Sequence, residues 1–231
     1  MVAEDAGGFR IHGDDVDLVA ERVILATGGK ALPKSGSDGA GYDIARGLGH
    51  TITDAVHPSL VPLVLDAGDP IRDVSGIALS TRLDVRDGRG RGVASYTAPL
   101  LCTHFGISGP VVLDASRHLL DAHAAGDHDA AMFACFLPEE DRDAFERSIL
   151  SAAGSATVAS ILRGRVPERF IGTLAHAAGL DPTDHPRNLA RDACRRLLEA
   201  IFDHRLAVVG DRGYTFAEAT AGGVQIGRAH V

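Results

Sequence analysis

Aromatic residues are scarce in this chain, and tryptophan is absent. Phe, Trp and Tyr together make up only 5% of its 231 residues, whereas the hydrophobic fraction is 45%, as in ordinary globular proteins. The core must therefore be built mainly from Leu, Val, Ile and Ala. The length allows one large domain or two small ones.

Cysteines are also few, and so are the signals that direct a chain to a membrane. Cys102, Cys135 and Cys194 form neither a CxxC pair nor a disulfide framework. No apolar stretch approaches the roughly 20 residues that cross a bilayer. The N-terminal residues lack the basic and then apolar pattern of a secretory signal. These absences predict a protein of the reducing cytoplasm with no membrane partner.

Positive charge is in deficit, since 23 Lys and Arg face 31 Asp and Glu and the formal net charge is −8. Binding along a phosphate backbone requires a basic surface, so nucleic acid is not an expected partner. The 11 histidines form no cluster with Cys or Asp at the spacing of zinc ligands, and we predict no metal.

The most informative feature that is present is an apolar run at residues 23–26 that leads into Thr27, Gly28 and Gly29. A short, wholly apolar run predicts a strand covered on both faces. Glycine lacks a Cβ and lets the backbone approach a cofactor, and ligands of open α/β sheets lie at the carboxyl ends of strands. A plain tight turn is the alternative, and the spacing alone leaves both interpretations open.

A second glycine pair, Gly222 and Gly223, follows a short predicted strand and has the same two interpretations. A loop at 35–41, rich in Gly and Ser, precedes a predicted helix and could offer amide donors to an anion. It matches neither a GxGxxG fingerprint nor a Walker loop. On spacing alone, a connector capped by Asp38 is the preferred interpretation.

Between the glycine pairs, the pattern changes twice. Residues 58–137 contain several predicted strands, the clearest with period-two alternation at 79–85. Residues 138–203 are mainly helical in pattern, and strands return at 204–217. The order of elements thus predicts a mixed α+β or α/β chain.

Several segments, taken in order, resemble the HI0933-like flavoproteins. They are ATGGK at 26–30, GSDGAGY at 36–42, PSLVPL at 58–63, THFGISGP at 103–110 and TAGGV at 220–224. The resemblance implies a remnant of a Rossmann-like FAD domain, interrupted by an insert with a β-barrel-like part and a helical part. Residues 1–57 and 218–225 would belong to the FAD domain and 58–217 to the insert. Within the insert, the barrel-like part would cover about 58–137 and 204–217, and the helical part about 138–203.

The resemblance also implies a chemistry. It suggests an FAD-dependent oxidoreductase that takes electrons from NAD(P)H and reduces an activated double bond in a small-molecule substrate. The backbone at Ala26, Thr27, Gly28 and Gly29 would approach the FAD, and Gly222 and Gly223 would line it from the other side. No catalytic residue and no oligomeric state is assigned. The alternatives are an amine (aminoketone) oxidase, a non-catalytic insert-domain fragment, and a small binding module unrelated to flavin.

The sequence departs from the family pattern at both ends. The GxGxxG strand, turn and helix that hold the FAD pyrophosphate are not found, and residues 226–231 resemble a translated sequencing adapter and suggest a non-native tail. We therefore expect a truncated fragment that binds FAD weakly or not at all. Absorbance spectroscopy of the purified chain tests this expectation, and a yellow protein with stoichiometric flavin would contradict it.

Overall fold

The computed structural model describes residues 2–5 and 7–226, so most of the tail predicted at 226–231 lies outside the described residues. The strands are β1 (Val2–Asp5), β2 (Gly8–Gly13), β3 (Val16–Ala20), β4 (His57–Ser59), β5 (Leu63–Leu65), β6 (Ala78–Arg86), β7 (Gly92–Thr103), β8 (Gly106–Ser108), β9 (Ala131–Cys135), β10 (His204–Arg205), β11 (Val208–Asp211) and β12 (Ala219–Ala221). The helices are α1 (Ala40–Gly47), α2 (Pro110–Ala124), α3 (Arg142–Leu150), α4 (Val158–Leu162), α5 (Glu168–Ala177) and α6 (Arg191–Phe202). Short 3-10 turns occur at Pro33–Ser35, Pro70–Val74 and Pro186–Asn188.

The chain divides into two compact units. The first consists of the described residues up to Val61 and from Arg212 onward, and the second is Pro62–Asp211. The chain is therefore of mixed α and β composition, with sheets and helices in the same molecule. No helix in the described part of the chain is both long enough and apolar enough to cross a membrane.

The first unit contains two small antiparallel sheets. Strands β1, β2 and β3 form a meander, and β4 pairs with β12. A small cluster formed by Tyr42, Ala45 and Ile52 packs beside Val56. Because every strand ladder within the described part of this unit is antiparallel, a Rossmann-like parallel sheet here stays a prediction.

The strand predicted at residues 23–26 does not form in the structure. These residues belong to no strand, and Ile24 is 92% exposed. The expectation of a strand covered on both faces is therefore wrong for this structure. The physical reason is that a strand needs a neighbour for its ladder, and no described strand pairs with this run.

The second unit contains a seven-stranded antiparallel sheet in the order β10-β9-β6-β7-β8-β5-β11. Its two outermost strands are separated in the chain only by Leu206 and Ala207. The amide of Leu206 donates to Met132 O in β9 at 2.9 Å, and Ala207 O accepts at 2.8 Å from the amide of Asp66, the residue after β5. Because adjacent residues reach opposite edges, the sheet closes on itself like a barrel.

The alternation predicted at 79–85 is confirmed. Leu79, Thr81, Leu83 and Val85 are buried, whereas the residues between them are at least partly exposed. Helix α2 packs against β6 and β7 and buries the face that carries Val111, Val112, Ala115 and Leu119. Helices α3 to α6 follow, and their aromatic residues join the same core, as in the edge-to-face pair of Phe136 and Phe170 at 4.9 Å between ring centroids.

The helical part of this core offers a matched pair of leucines. Leu174 in α5 is 1% exposed and Leu150 in α3 is 67% exposed. We expect Leu174→Ala to lower the free energy of unfolding by about 2–5 kcal/mol, because it leaves a cavity. Leu150→Ala should change it by no more than about 0.5 kcal/mol. Urea unfolding measures both values, and similar losses in the two variants would contradict the described packing.

His204 predicts a pH dependence of stability. It lies in β10 with its ring 5.9 Å from that of Phe136, and burial lowers its pKa from 6.5, although Asp69 opposes the shift. As the pH falls below about 6.5, the unfolded chain takes up a proton that the folded chain resists, so the free energy of unfolding decreases. Urea unfolding at about pH 7.5 and about pH 5.5 should show a smaller decrease for His204→Phe than for the wild type. Equal decreases would show that His204 does not contribute.

Candidate functional site

The structure brings the two predicted glycine pairs together in the first unit, where both line one open depression of about 390 Å³. The lining consists of small residues and a few polar side chains: Gly28, Gly29, Ala31, Ser37, Tyr42, Glu218, Ala219, Thr220, Gly222 and Gly223. Four of the six residues that the resemblance assigns to the cofactor thus lie at this depression. Ala26 and Thr27 precede it in the chain and do not line it.

A single side chain, Thr220, joins the two segments. Its Oγ1 accepts hydrogen bonds from the amides of Lys30 at 2.8 Å and Ala31 at 2.9 Å. A Cβ built on Gly29 would lie 2.6 Å from this oxygen and 2.8 Å from the Thr220 Cβ. Real Cβ atoms do not approach so closely, so the contact requires glycine at position 29.

The second glycine pair is held by a separate set of backbone contacts. The amide of Gly223 donates to Thr53 Oγ1 at 2.9 Å, and the amide of Thr53 donates to Gly223 O at 2.8 Å. Gly222 has φ 82°, and a Cβ there would overlap the carbonyl oxygen of Ala55. Both the backbone conformation and the available space therefore require glycine at position 222.

The first glycine pair offers hydrogen-bond donors. Gly28 has φ 70°, in the left-handed region. The amides of Gly28 and Gly29 donate no hydrogen bond to another described residue. They are available to an acceptor on a bound molecule. Thr27 faces α1 instead, because a Cβ on Gly41 would overlap its Oγ1.

A second depression, of about 320 Å³, lies on the other side of Tyr42. Its lining is charged: Lys30, Asp38, Gly39, Ala40, Tyr42, Asp43 and Arg46. Lys30 Nζ lies 6.0 Å from the ring centroid of Tyr42 and 5.8 Å from that of Tyr214, so it interacts with two aromatic faces. Asp38 Oδ1 accepts from the amide of Ala40 at 2.9 Å, from the position before the N-cap residue, which is Gly39 and not the predicted Asp38.

Three residues of this site were not predicted as functional: Thr220, Tyr42 and Lys30. Thr220 and Lys30 lie inside motifs that carry the resemblance, but within those motifs a role was assigned only to other residues, mainly the glycines. Tyr42 is the last residue of the motif at 36–42, and no role was assigned to it there. The signal that could have found all three is their position directly beside a glycine motif, where a side chain must face whatever the glycines approach.

The described residues give little support for metal binding or for a cysteine nucleophile. No group of three or more His, Cys, Asp or Glu side chains there could hold a metal ion. The three cysteines are buried, and burial raises the pKa of the Cys102 thiol to about 12. Since the thiolate is the nucleophilic form, Cys102 stays unreactive at neutral pH.

Comparison with known proteins gives a consistent set of relatives. A family described as "HI0933-like protein barrel and H2TH domain" matches residues 57–219. The chain is 31% identical, over 97% of its length, to the 3-dehydro-bile acid delta(4,6)-reductase of Clostridium scindens, of which it covers 55%. It is also similar to the ribosomal RNA dihydrouridine synthases of Escherichia coli (26% identity, 96% of this chain, 53% of the relative) and Haemophilus influenzae (27%, 94% and 51%). The chain thus spans about half the length of the curated relatives it matches.

Proposed function

We propose that this chain, which belongs to the HI0933-like protein family, forms part of an FAD-dependent oxidoreductase. The reaction would be the reduction of an activated double bond in a small-molecule substrate, with electrons from NAD(P)H. Relatives named as a delta(4,6)-reductase and as dihydrouridine synthases support reduction over amine oxidation, because both names describe the saturation of a double bond. The net charge of −8 favours a small molecule, although the two dihydrouridine synthases are named for ribosomal RNA.

The observation that carries the proposal is the depression shared by the two glycine pairs. Its walls are backbone at Gly28 and Gly29 on one side and at Gly222 and Gly223 on the other. At Gly223 the place of the missing Cβ is open, so a flat molecule can approach the backbone closely there. At Gly28, Gly29 and Gly222 that place is filled by protein atoms, which hold the walls together. A plain turn would explain either pair alone but not their meeting around one open space.

The residues present fit a flavin ring. A Cβ built on Gly223 would meet no atom of another segment nearer than Tyr42 Cε1 at 3.9 Å, so the space beside it is open. The unbonded amides of Gly28 and Gly29 can donate to ring acceptors, and the volume of about 390 Å³ lies in the range of small-molecule sites. When bound, the flavin would supply hydride transfer, while these residues bind and orient its ring.

The proposal is tested by NMR titration of the ¹⁵N-labelled chain with FAD, which detects weak binding. We expect the amide signals of Gly28, Gly29, Gly222 and Gly223 to shift together and saturate with one dissociation constant. The signal of Gly154, in the second unit, should not move. Unchanged signals at all four glycines up to millimolar FAD would overturn the proposal.

A pair of matched variants tests the location. Gly223 and Gly49 both have positive φ, 151° and 82°, and a Cβ at either would meet no atom of another segment closer than 3.9 Å. Both valine variants therefore carry backbone strain, but only Gly223→Val places a side chain in the depression. We expect Gly223→Val to weaken FAD binding at least tenfold and Gly49→Val to leave it within twofold. Equal effects would place the flavin elsewhere.

A further inference from the structure

Tyr42 lies in α1 with an unused hydroxyl group. Its side chain is only 9% exposed, and its ring packs in the small cluster with Ala45 and Ile52. The hydroxyl makes no hydrogen bond to another described residue. A buried tyrosine normally finds a partner for its O–H group, and a phenylalanine would serve as well for packing alone. The Tyr42 oxygen is not one of the fully enclosed, unpartnered polar atoms of the described residues, so the hydroxyl is open to solvent or to a bound molecule.

The hydroxyl lies between the two glycine pairs. A Cβ built on Gly29 would be 3.1 Å from Tyr42 Oη, and one built on Gly223 would be 3.9 Å from Tyr42 Cε1. Tyr42 also lines the shared depression. A donor that lacks a protein partner is thus placed at the open space that both glycine pairs enclose.

The polar groups around this space suit a neutral acceptor. The donors are the hydroxyls of Tyr42 and Ser37 and the amides of Gly28 and Gly29, whereas the charged group in the lining is the carboxylate of Glu218. A carboxylate repels a phosphate but not the carbonyl groups of a heterocyclic ring.

The second depression, of about 320 Å³, does not change this preference for a neutral acceptor over a phosphate. Lys30, Arg46, Asp38 and Asp43 all belong to its lining, so its formal charges cancel. Arg46 Nη1 lies 2.9 Å from Asp43 Oδ1, whereas Lys30 Nζ lies over the rings of Tyr42 and Tyr214. The amide of Ala40, at the start of α1, already donates to Asp38. Because the formal charges of this lining cancel and both Arg46 and the Ala40 amide have partners within the protein, this depression attracts a phosphate only weakly.

We propose that Tyr42 is a ring-binding residue of this depression, and that its hydroxyl donates a hydrogen bond to a carbonyl acceptor of the flavin ring. The inference rests on the proposed function and adds that this depression binds the ring and not the phosphates. Tyr42 is then a binding residue that also belongs to the core of its unit.

The test uses two ligands that separate the ring from the phosphates. Riboflavin carries the flavin ring without phosphate, and ADP carries the diphosphate without the flavin ring. We expect riboflavin to shift the amide signals of the four glycines and ADP to leave them unchanged. Tyr42→Phe should weaken riboflavin binding about three- to tenfold, the size of one neutral hydrogen bond.

Tyr96→Phe is the matched control. It removes one phenolic hydroxyl from a half-buried tyrosine of the second unit, where the hydroxyl lies 2.9 Å from His118 Nε2. Riboflavin binding should stay within twofold in this variant. Thermal unfolding of both variants shows whether each is folded at the temperature of the titration, and both phenylalanine rings keep the packing of the tyrosines they replace.

The outcomes separate the two proposals. If Tyr42→Phe binds riboflavin as tightly as the wild type, the role of Tyr42 is wrong while the flavin site stands. If ADP shifts the four glycines and riboflavin does not, the depression binds phosphates and the inference is overturned. If FAD, riboflavin and ADP all leave the glycines unchanged, the proposed function and the inference fail together.

Discussion

The candidate site depends on one side-chain oxygen. Thr220 Oγ1 accepts from two consecutive amides, those of Lys30 and Ala31, which lie 190 and 189 residues away in the chain. This interaction sets how closely the segments approach, and at that distance a side chain at position 29 has no room. Gly29 and Thr220 therefore depend on each other. Gly29 leaves the space for the close approach, and Thr220 accepts the hydrogen bonds that hold the two segments together.

The two units are stabilised by different interactions. The second unit closes its sheet between Leu206 and Ala207 and surrounds one large apolar core, so it is stabilised mainly by burial. The first unit has a small cluster around Tyr42, Ala45 and Ile52, and its order depends more on hydrogen bonds between distant segments. The site lies in the unit with the smaller core. Its geometry is consequently more sensitive to single backbone contacts than to loss of a methyl group.

The prediction that the structure confirms depends only on residues close together in the chain. Alternation at 79–85 predicted the buried side of β6. The approach of the glycine backbone to a cofactor stays a prediction, since the close contacts seen at Gly29 and Gly222 are with Thr220 and Ala55. The strand predicted from the apolar run at 23–26 was wrong, and Ile24 is exposed. A strand requires a pairing partner, and the sequence of the run does not show whether one is present. Thr220 and Tyr42 escaped prediction for a related reason. Their roles arise only when distant segments meet, and neither a threonine nor a helical tyrosine shows locally what it will face.

Tyr42 connects the small core to the depression, and this has a thermodynamic consequence. Its ring packs against the residues that order the first unit, while its hydroxyl faces the site. A ligand that bonds this hydroxyl binds only the ordered form, because the unfolded segment cannot place the phenol between two glycine pairs. Binding therefore stabilises the unit by an amount that grows with the logarithm of the ratio of ligand concentration to dissociation constant. A phenylalanine at position 42 would keep the packing and weaken this coupling, so the oxygen atom matters for the ligand and the ring for the fold.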